Sequence, residues 1–580
     1  MDKGEIIAVL KDIAVFLELK GENAFKIKAY QVGARTLERL EDNFDEVIQK
    51  NRLGDLRGFG KALVDKIERL YHEGHLDFYE DLKASIAPGL IEFLQIPGLG
   101  GKKVKSIYEK LEIDTIEGLK EACLSGAIEK LEGFGKKSAE KILSGIENRE
   151  AYGKRHLWWA VQDLVELILE GLKAHPDSEK VAVAGSYRRR LETVGDLDFI
   201  VASANPEPLM DWFTGLSEVK EVTAKGITKS SVRFNDGTQA DLRIVASNEF
   251  VFALHHFTGS KDHNIQMRQR ALSMGYRLSE WGIFDKKSES DEPINAVNAI
   301  QTEADLFNFF KLSMVEPELR EGYDEIDQAE KGSIPKLVDE ASIKGVFHNH
   351  TTASDGLDTL EDMVKEVEAM GWSYIGFADH SKSSVQANGL NEDRVLGLIE
   401  KIKNFNASEK SEVTVFSGIE CDILSDGKLD LEASVLEQLD YVVASIHSGF
   451  TQDKSTMTER IIRAIEQPSV TMLAHPTGRL LLKREGYLLD LEKIIDAAID
   501  NKVIIEINAN PKRLDMDWRF WRKGIERGLM CSINPDAHSR KHLKYFKAGV
   551  HIARKGWLED MHILNTRDVV GVKRWFTERL

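Results

Sequence analysis

From Ile343 onward, seven short apolar runs each end in a histidine or an acid, and this recurrence restricts the fold more than anything else in the chain. The runs are Val346-Phe347 before His348, Tyr374 to Ala378 before Asp379, Val413 to Ile419 before Glu420, Tyr441 to Ile446 before His447, Val470 to Ala474 before His475, Val503 to Ile505 before Glu506 and Leu529 to Ile533 before Asp536. Measured at His348, His380, Glu420, His447, His475, Glu506 and Asp536, the steps are 32, 40, 27, 28, 31 and 30 residues. Helical patterns such as Leu360 to Met370 and Leu491 to Asn501 lie between. One strand plus one crossover helix takes about 30 residues, so the spacing predicts a sevenfold (β/α) array, most simply a barrel. The polar residues then fall at the carboxyl ends of the strands, where such barrels carry their chemistry.

The chain has 16 histidines, and six of them (His348, His350, His380, His447, His475 and His538) sit at these strand ends. Asp355, Asp379, Glu420, Asp422 and Asp536 accompany them. A lone histidine in an apolar run is a core residue; six in register are a ligand set. His348-x-His350 and Asp536-x-His538 use the two-residue strand period to aim two side chains at one point. Mixed imidazole and carboxylate donors suit Zn²⁺, Mn²⁺ or Fe²⁺.

The blocks His348-Asn349-His350-Thr351, Ser354-Asp355-Gly356, Asp379-His380-Ser381, Gly418-Ile419-Glu420, Ser445-Ile446-His447-Ser448, Ala474-His475-Pro476-Thr477 and Pro535-Asp536-Ala537-His538 resemble a complete PHP (polymerase and histidinol phosphatase) domain over residues 342–580. The resemblance implies a distorted (β/α)7 barrel and nine metal ligands: His348, His350, Asp355, His380, Glu420, His447, His475, Asp536 and His538. It also implies three ions of Mn²⁺, Zn²⁺ or Fe²⁺ and a 3′–5′ exonuclease, with abasic-site or 3′-end processing as related activities. Arg479, Lys483, Arg484, Arg513, Arg540 and Lys541 are candidate DNA contacts at the barrel rim.

Three glycine pairs recur in the first 150 residues: Gly58-Phe59-Gly60, Gly98-Leu99-Gly100 and Gly133-Phe134-Gly135. Lysines and a helical pattern follow each (Lys61 to Leu70, Lys102 to Leu111, Lys136 to Ile146). Two glycines in a tight hairpin let backbone N–H groups approach a phosphate at a helix N-terminus, which binds DNA without reading its sequence.

Between these regions, residues 151–175 read as an amphipathic helix. Short strands follow at Lys180 to Ala184 and Asp198 to Ala202, then Val232 to Asn235 and Gln239 to Val245 around Asp236-Gly237, and helices from Glu249. Asp196 and Asp198, two residues apart on a strand, face one side, and Asp241 on the next hairpin can join them. Three convergent carboxylates call for Mg²⁺ or Mn²⁺, which in pairs hold both oxygens of an in-line displacement. Gly185-Ser186-Tyr187-Arg188-Arg189 precedes them, with Ser186 and Arg189 placed to hold a triphosphate.

This block, with His256-Phe257-Thr258-Gly259-Ser260, Asn264, Arg268, Tyr276, Glu280 and the glycine hairpins, resembles the family X DNA polymerases of the polymerase beta type, within the nucleotidyltransferase superfamily. The resemblance covers residues 1 to about 320. It implies Asp196, Asp198 and Asp241 as two-metal ligands, with Asp241 as base for the primer 3′-hydroxyl. It implies Ser186, Arg189 and Gly195 as triphosphate contacts, and Phe257, Gly259, Asn264 and Arg268 as sugar, base and template contacts. His256 stands where polymerase beta has tyrosine. Lys66 falls where a 5′-deoxyribose-phosphate lyase uses a Schiff-base lysine, near Lys26 and Tyr30, although Ala62 replaces a second lysine.

The expected architecture is multidomain: an all-α lyase-like domain at 1–86, helix-hairpin-helix fingers at 87–150, an α+β nucleotidyltransferase palm at 151–245, a thumb at 246–316, an acidic linker at 317–341 and the barrel. The net charge of −18 argues against a general polyanion binder, and much of the acidity lies in 301–333 and 351–450. Three scattered cysteines make no disulfide framework, and no apolar run spans a membrane. The expected function is gap filling with dNTPs on gapped or nicked DNA, by a cytoplasmic, nucleoid-associated monomer that also trims 3′ ends. A template-independent nucleotidyltransferase, or a DNA-end scaffold with a phosphatase barrel, are the alternatives.

Overall fold

The computed structural model describes residues 1–580 except 2, 39–43, 57–58, 95, 97–98, 153–154, 288–291, 295–297, 409 and 579–580. Contacts divide the chain into two units, Met1–Gly153 and Lys154–Leu580.

The first unit is helical, with helices that include Lys3–Leu19, Ala24–Glu38, Lys61–Glu73, Gly101–Leu111 and Lys136–Tyr152. Their apolar faces meet in one cluster, among them Ile13, Leu17, Ile67, Phe93, Val104, Ile107 and Ile146. Helices Ala24–Glu38 and Lys61–Glu73 approach closely at Gly33, where a Cβ would lie 2.6 Å from Leu63 Cδ2.

In the second unit, β1 (Lys180–Val183), β2 (Asp196–Ala202), β3 (Val219–Lys225), β4 (Lys229–Phe234) and β5 (Gln239–Val245) form a sheet of order β1-β2-β5-β4-β3. The expected β4–β5 hairpin turns at Gly237, whose φ is +90°. On β2, Leu197, Phe199 and Val201 enter the core against Phe213 and Leu242. Ile200 and Ala202, on the opposite face, pack under Phe250, Ala253 and Leu254 of the helix Phe250–Thr258. The strand period therefore puts Asp196 and Asp198 on that second face. The amphipathic segment expected over 151–175 is helical only from Gln162 to Ala174. Before it, His156–Leu157 pairs with Thr193–Val194. Trp158 is buried there, stacked on Tyr187 at 4.8 Å with Nε1 donating to the Tyr187 carbonyl at 2.9 Å.

The segment expected as an acidic linker, 317–341, is not a connector. Leu319, Ile326, Ala329 and Leu337 belong to the thumb core with Phe307 and Phe310. Several of its acids are paired: Arg554 Nε lies 2.7 Å from Glu318 Oε1, His263 Nδ1 lies 2.8 Å from Glu325 Oε1, and Arg522 reaches Asp324.

The strands β6 (Gly345–Asn349), β7 (Tyr374–His380), β8 (Thr414–Asp422), β9 (Tyr441–Ser445), β10 (Met472–Leu473), β11 (Ile504–Asn508) and β12 (Cys531–Asn534) run parallel in sequence order. Asn349 bridges to Ala537, so the first and last strands meet. Phe347, Tyr374, Phe416 and Tyr441 fill the interior together with Val572 and Phe576 of the final helix, Val569–Glu578. That helix occupies the amino end of the barrel, and the carboxyl end carries the polar residues.

Candidate active sites

All nine expected barrel ligands converge at the carboxyl ends of the strands. Among the described residues, four overlapping groups have donor atoms within 4.8 Å of one another: His350, Asp355, His380 and His538; His348, Glu420 and His475; His348, His350 and Asp536; and His380, Glu420 and His447. Glu420 is central, 3.3 Å from His348 Nε2, 2.9 Å from His380 Nδ1, 3.2 Å from His447 Nε2 and 3.0 Å from His475 Nε2. The backbone bends to make this possible: His348, His475 and Asp536 have φ of 56°, 24° and 50°. Left-handed conformations at non-glycine residues are costly and concentrate at functional sites.

Charge in the cluster is divided unevenly. Burial opposes a charge on His348, but Glu506, Glu420 and Asp536 outweigh it and hold the ring well above the usual histidine range. His350, buried beside His538 and His380, falls to about 3. Despite burial, neighbouring carboxylates raise His447 to about 10 and His538 to about 9. Glu420 and Asp536 stay well below the carboxylate range, because the surrounding imidazoles overcome the cost of burial. Both ring nitrogens of His350, His348 Nε2 and His475 Nδ1 are buried without a hydrogen-bond partner. Buried polar atoms of this kind call for a partner, and the donor set fits divalent transition-metal ions.

Three acids that the sequence shows only as members of polar clusters hold the candidate ligands or the loop between them. Glu506 Oε2 lies 2.6 Å from His348 Nδ1, and Asp422 Oδ1 lies 3.0 Å from His447 Nδ1. Asp379 accepts from the Thr351 and Ser354 amides at 2.8 and 3.2 Å and from both hydroxyls, fixing the loop between His350 and Asp355. Such partners set ring orientation and raise ligand basicity. Their signal is a second acid at a strand end.

Half of the expected basic rim is held in ion pairs. Arg479 pairs with Glu192 and Asp517 and donates to the Arg513 and Leu514 carbonyls. Arg540 pairs with Asp358, while Arg513 Nε lies 3.7 Å from Asp536 Oδ2. Lys483, Arg484 and Lys541 are exposed.

In the palm, parallel β2 and β5 put Asp198 opposite Asp241. Asp241 accepts from Ser231 Oγ at 2.6 Å and pairs with Lys229 Nζ at 2.6 Å. Burial, reinforced by Asp196 and Asp241, pushes the Asp198 carboxyl up to about 7. Unlike the barrel ligands, the three acids do not form one of the groups whose donor atoms meet within 4.8 Å. They share one face, and their mutual repulsion is the charge that divalent cations neutralise. The turn before them closes onto Asp198: Gly185 has φ +63°, and a Cβ there would lie 2.3 Å from Asp198 Oδ2. Gly195 directly precedes Asp196. Ser186 and Arg189 lie on the short helix and its cap, Gly185–Arg188 and Arg189. The Arg189 guanidinium points to the thumb, with Nη1 donating to the Thr258 carbonyl at 2.9 Å and Nε to Glu321 Oε1 at 3.1 Å. Arg188 donates to Thr258 Oγ1 at 2.7 Å and pairs with Glu303 at 2.5 Å. Asn264 Nδ2 donates to the His256 carbonyl at 2.7 Å, fixing the bend at Gly259, and Arg268 Nη2 lies 3.3 Å from His256 Nδ1. The Arg243 guanidinium lies over the Phe257 ring at 4.2 Å.

In the first unit, Gly58 and Gly98 lie outside the described residues. A Cβ at Gly60, Gly100, Gly133 or Gly135 would meet no atom within 4 Å, so internal packing does not demand glycine there. Gly133 has φ +82°, which does. Gly60 and Gly100 cap the helices that begin at Lys61 and Gly101. Lys66, Lys26 and Tyr30 gather on Phe78: the ammoniums lie 5.2 and 5.8 Å from the ring centre and the Tyr30 ring stacks at 6.3 Å.

Known families match four stretches of the chain. Residues 1–76 match a helix-hairpin-helix family and 90–148 a SAM-like helix-hairpin-helix tandem. Residues 253–321 match the DNA polymerase beta thumb and 347–510 the PHP domain. A Bacillus subtilis protein named DNA polymerase/3′-5′ exonuclease PolX is 38% identical over 575 residues, 99% of each chain. Probable phosphatases resemble the barrel region: one from Thermoanaerobacter pseudethanolicus is 27% identical over 40% of this chain and 94% of its own, and one from Acetivibrio thermocellus is 30% identical over 28% and 63%. No helix among the described residues is long and apolar enough to cross a membrane. With hairpins, palm, thumb and barrel on one chain and a relative matching it end to end, the chain belongs to the family X DNA polymerases that carry a C-terminal PHP domain.

Proposed function

We propose that the chain extends primer 3′ ends with dNTPs at short gaps in DNA and digests or unblocks 3′ ends in its barrel. The observation that carries the reading is the presence, in one unit, of two acid-bearing sites of different chemistry: an all-carboxylate face in the palm and a mixed histidine-carboxylate cluster in the barrel. All-oxygen donors suit Mg²⁺ or Mn²⁺, and mixed donors suit Mn²⁺, Zn²⁺ or Fe²⁺. In both places divalent ions supply Lewis-acid polarisation of phosphoryl oxygens when bound.

Asp196, Asp198 and Asp241 hold the palm ions, and Asp241 accepts the proton of the primer 3′-hydroxyl. Ser186, Arg189 and Gly195 receive the triphosphate at the turn that closes on Asp198. Phe257, Gly259, Asn264 and Arg268 bound the sugar, base and template. In the barrel the nine convergent side chains hold the ions, with Glu506 and Asp422 fixing the His348 and His447 rings. Gly60, Gly100, Gly133 and Gly135 present backbone amides to DNA phosphates, with Gly58 and Gly98 completing the pairs. Lys66, packed on Phe78, is the amine for a Schiff base with the aldehyde of a 5′-deoxyribose-phosphate end, and borohydride trapping that leaves Lys66 unlabelled removes this role. The protein acts as a cytoplasmic, nucleoid-associated monomer.

Separate Asp198→Ala and His350→Ala variants on a gapped duplex test the main assignment. The first loses nucleotide insertion and keeps 3′ digestion in Mn²⁺; the second does the reverse. Insertion surviving Asp198→Ala, or digestion surviving His350→Ala, contradicts it.

A further inference from the structure

Contacts among palm, thumb and barrel converge on one nearly buried carboxylate. Glu321, at the end of the thumb, is shared by two cations: Arg189 of the palm, whose Nε lies 3.1 Å from Oε1, and Lys555 of the barrel. Lys555 ends the helix Phe546–Lys555 and its side chain has no exposed surface. Its ammonium also donates to the carbonyl oxygens of Glu318 and Arg189, at 3.1 and 3.2 Å, and lies 4.5 Å over the Trp518 ring. Every donor position of the ammonium is thus used within the palm–thumb–barrel junction.

Arg189 is the residue of this set assigned above to the triphosphate, and it is tied to Glu321 and to the Thr258 carbonyl. To grip a phosphate bidentately along its Nε–Nη2 edge, the guanidinium has to give up the Glu321 contact at Nε. A carboxylate buried with Arg189 as sole partner resists that move, because releasing the arginine leaves an unpaired charge in a low-dielectric site. With Lys555 beside it, Glu321 keeps a cation when Arg189 turns away.

We propose that Lys555, on the nuclease barrel, is a positioning residue for nucleotide insertion: it neutralises Glu321 and so frees Arg189 for the incoming triphosphate. The inference rests on the reading of the Gly185–Arg189 turn as the triphosphate site. It gives the barrel a part in the polymerase reaction independent of its own metal centre, since Lys555 belongs to none of the ligand groups.

The test is single-turnover filling of a one-nucleotide gap by the full chain, with Mn²⁺-dependent 3′ digestion measured on the same preparations. Lys555→Met is expected to weaken apparent dNTP affinity about tenfold, as for loss of one charge-assisted contact, with the maximal insertion rate and 3′ digestion within about twofold of the parent. Adding Glu321→Gln removes the acid that retains Arg189, so the Lys555→Met/Glu321→Gln chain is expected to recover most of the lost affinity. Unchanged affinity in Lys555→Met, or a double variant no better than the single one, overturns the proposal. If Lys555→Met also loses 3′ digestion, its fold is damaged and Glu321→Gln alone decides: affinity equal to or better than the parent supports the proposal, and a tenfold loss overturns it. Ser186→Ala separates the two readings. Weaker binding in Ser186→Ala but not in Lys555→Met sinks this inference alone, whereas no effect in either sinks the triphosphate turn itself.

Discussion

Asp198 carries a stability cost from burial beside two other acids, and removing its charge makes that cost measurable. Burial, with Asp196 and Asp241 nearby, moves its carboxyl from an ordinary 3.8 up to about 7. A folded-state value above the unfolded one means that the folded chain holds the proton across that window while the unfolded chain has lost it. Stability therefore falls as pH rises from about 4 to about 7, and the loss is complete above that. At about 1.4 kcal/mol per pH unit over this interval, the full loss is about 4 kcal/mol. Asp198→Asn keeps the shape without the charge, so in chelator the variant is expected to be more stable than the parent by up to about 4 kcal/mol at pH 8 and by almost nothing at pH 4. Saturating Mg²⁺ narrows the gap at pH 8, because the parent gains a counter-ion and the variant gains less. Urea unfolding followed by tryptophan fluorescence, at both pH values with chelator and with Mg²⁺, measures it. Taking the difference between two otherwise identical chains cancels the barrel's own response to chelation. A variant no more stable than the parent at pH 8 in chelator, or a gap that persists at pH 4, would refute the reasoning.

Glu506→Gln leaves the nine proposed barrel ligands in place but removes the acid hydrogen-bonded to His348, so metal retention against a competing chelator is expected to weaken about 10- to 100-fold, with nucleotide insertion unchanged. Glu303 is buried between Arg320 and Arg188. These cations overcome the cost of burial and hold its carboxyl down at about 2, so its contribution is present above about 4.5 and lost as pH falls towards 2. Glu303→Gln strands the two arginines and is expected to lower the urea stability at pH 7 by about 3–5 kcal/mol. Gly185→Ala forces a Cβ to within 2.3 Å of Asp198 Oδ2 at a positive φ, so insertion is expected to fall by at least tenfold while Mn²⁺-dependent digestion is retained; an unimpaired insertion rate would show that the turn does not need this close approach.

The barrel was legible because its candidate ligands follow the strand rhythm. Most sit where an apolar run ends, whereas Asp355 lies on a loop and His350, Asp536 and His538 lie beyond the strands, with His348 and Asp536 at left-handed φ, so a bent backbone rather than a strand period aims those pairs. The palm acids were legible through Asp196-x-Asp198 and the Asp236-Gly237 hairpin that returns Asp241 beside them. What local pattern could not convey was the fate of charges whose partners lie far along the chain. Glu318 meets Arg554 across 236 residues and Asp324 meets Arg522 across 198, so an acidic stretch that reads as a solvated linker is packed into the thumb. Arg479, a rim cation by position, is withdrawn to Glu192 of the palm, 287 residues away. Glu506 and Asp422 stand in the sequence like the candidate ligands. Only their partner rings, His348 across the barrel and His447 at the end of the adjacent strand, set them apart.

These distant pairs also explain how two chemistries are held in one unit. The barrel meets palm and thumb through Arg479 and Glu192, Arg522 and Asp324, Arg554 and Glu318, and Lys555 and Glu321, with His551 against Trp158 and Tyr545 against Trp159. Buried ion pairs add little net stability over apolar packing, because desolvation offsets most of the Coulomb attraction. They are instead intolerant of misplacement: a shift that would merely slide an apolar face leaves a buried charge without its partner. In each of these four pairs the barrel supplies the cation and the polymerase half the acid, so the contact can form in only one sense. Each pair is neutral, so the four together leave the net charge of −18 on the rest of the molecule, and DNA has to be met through local basic groups and backbone amides.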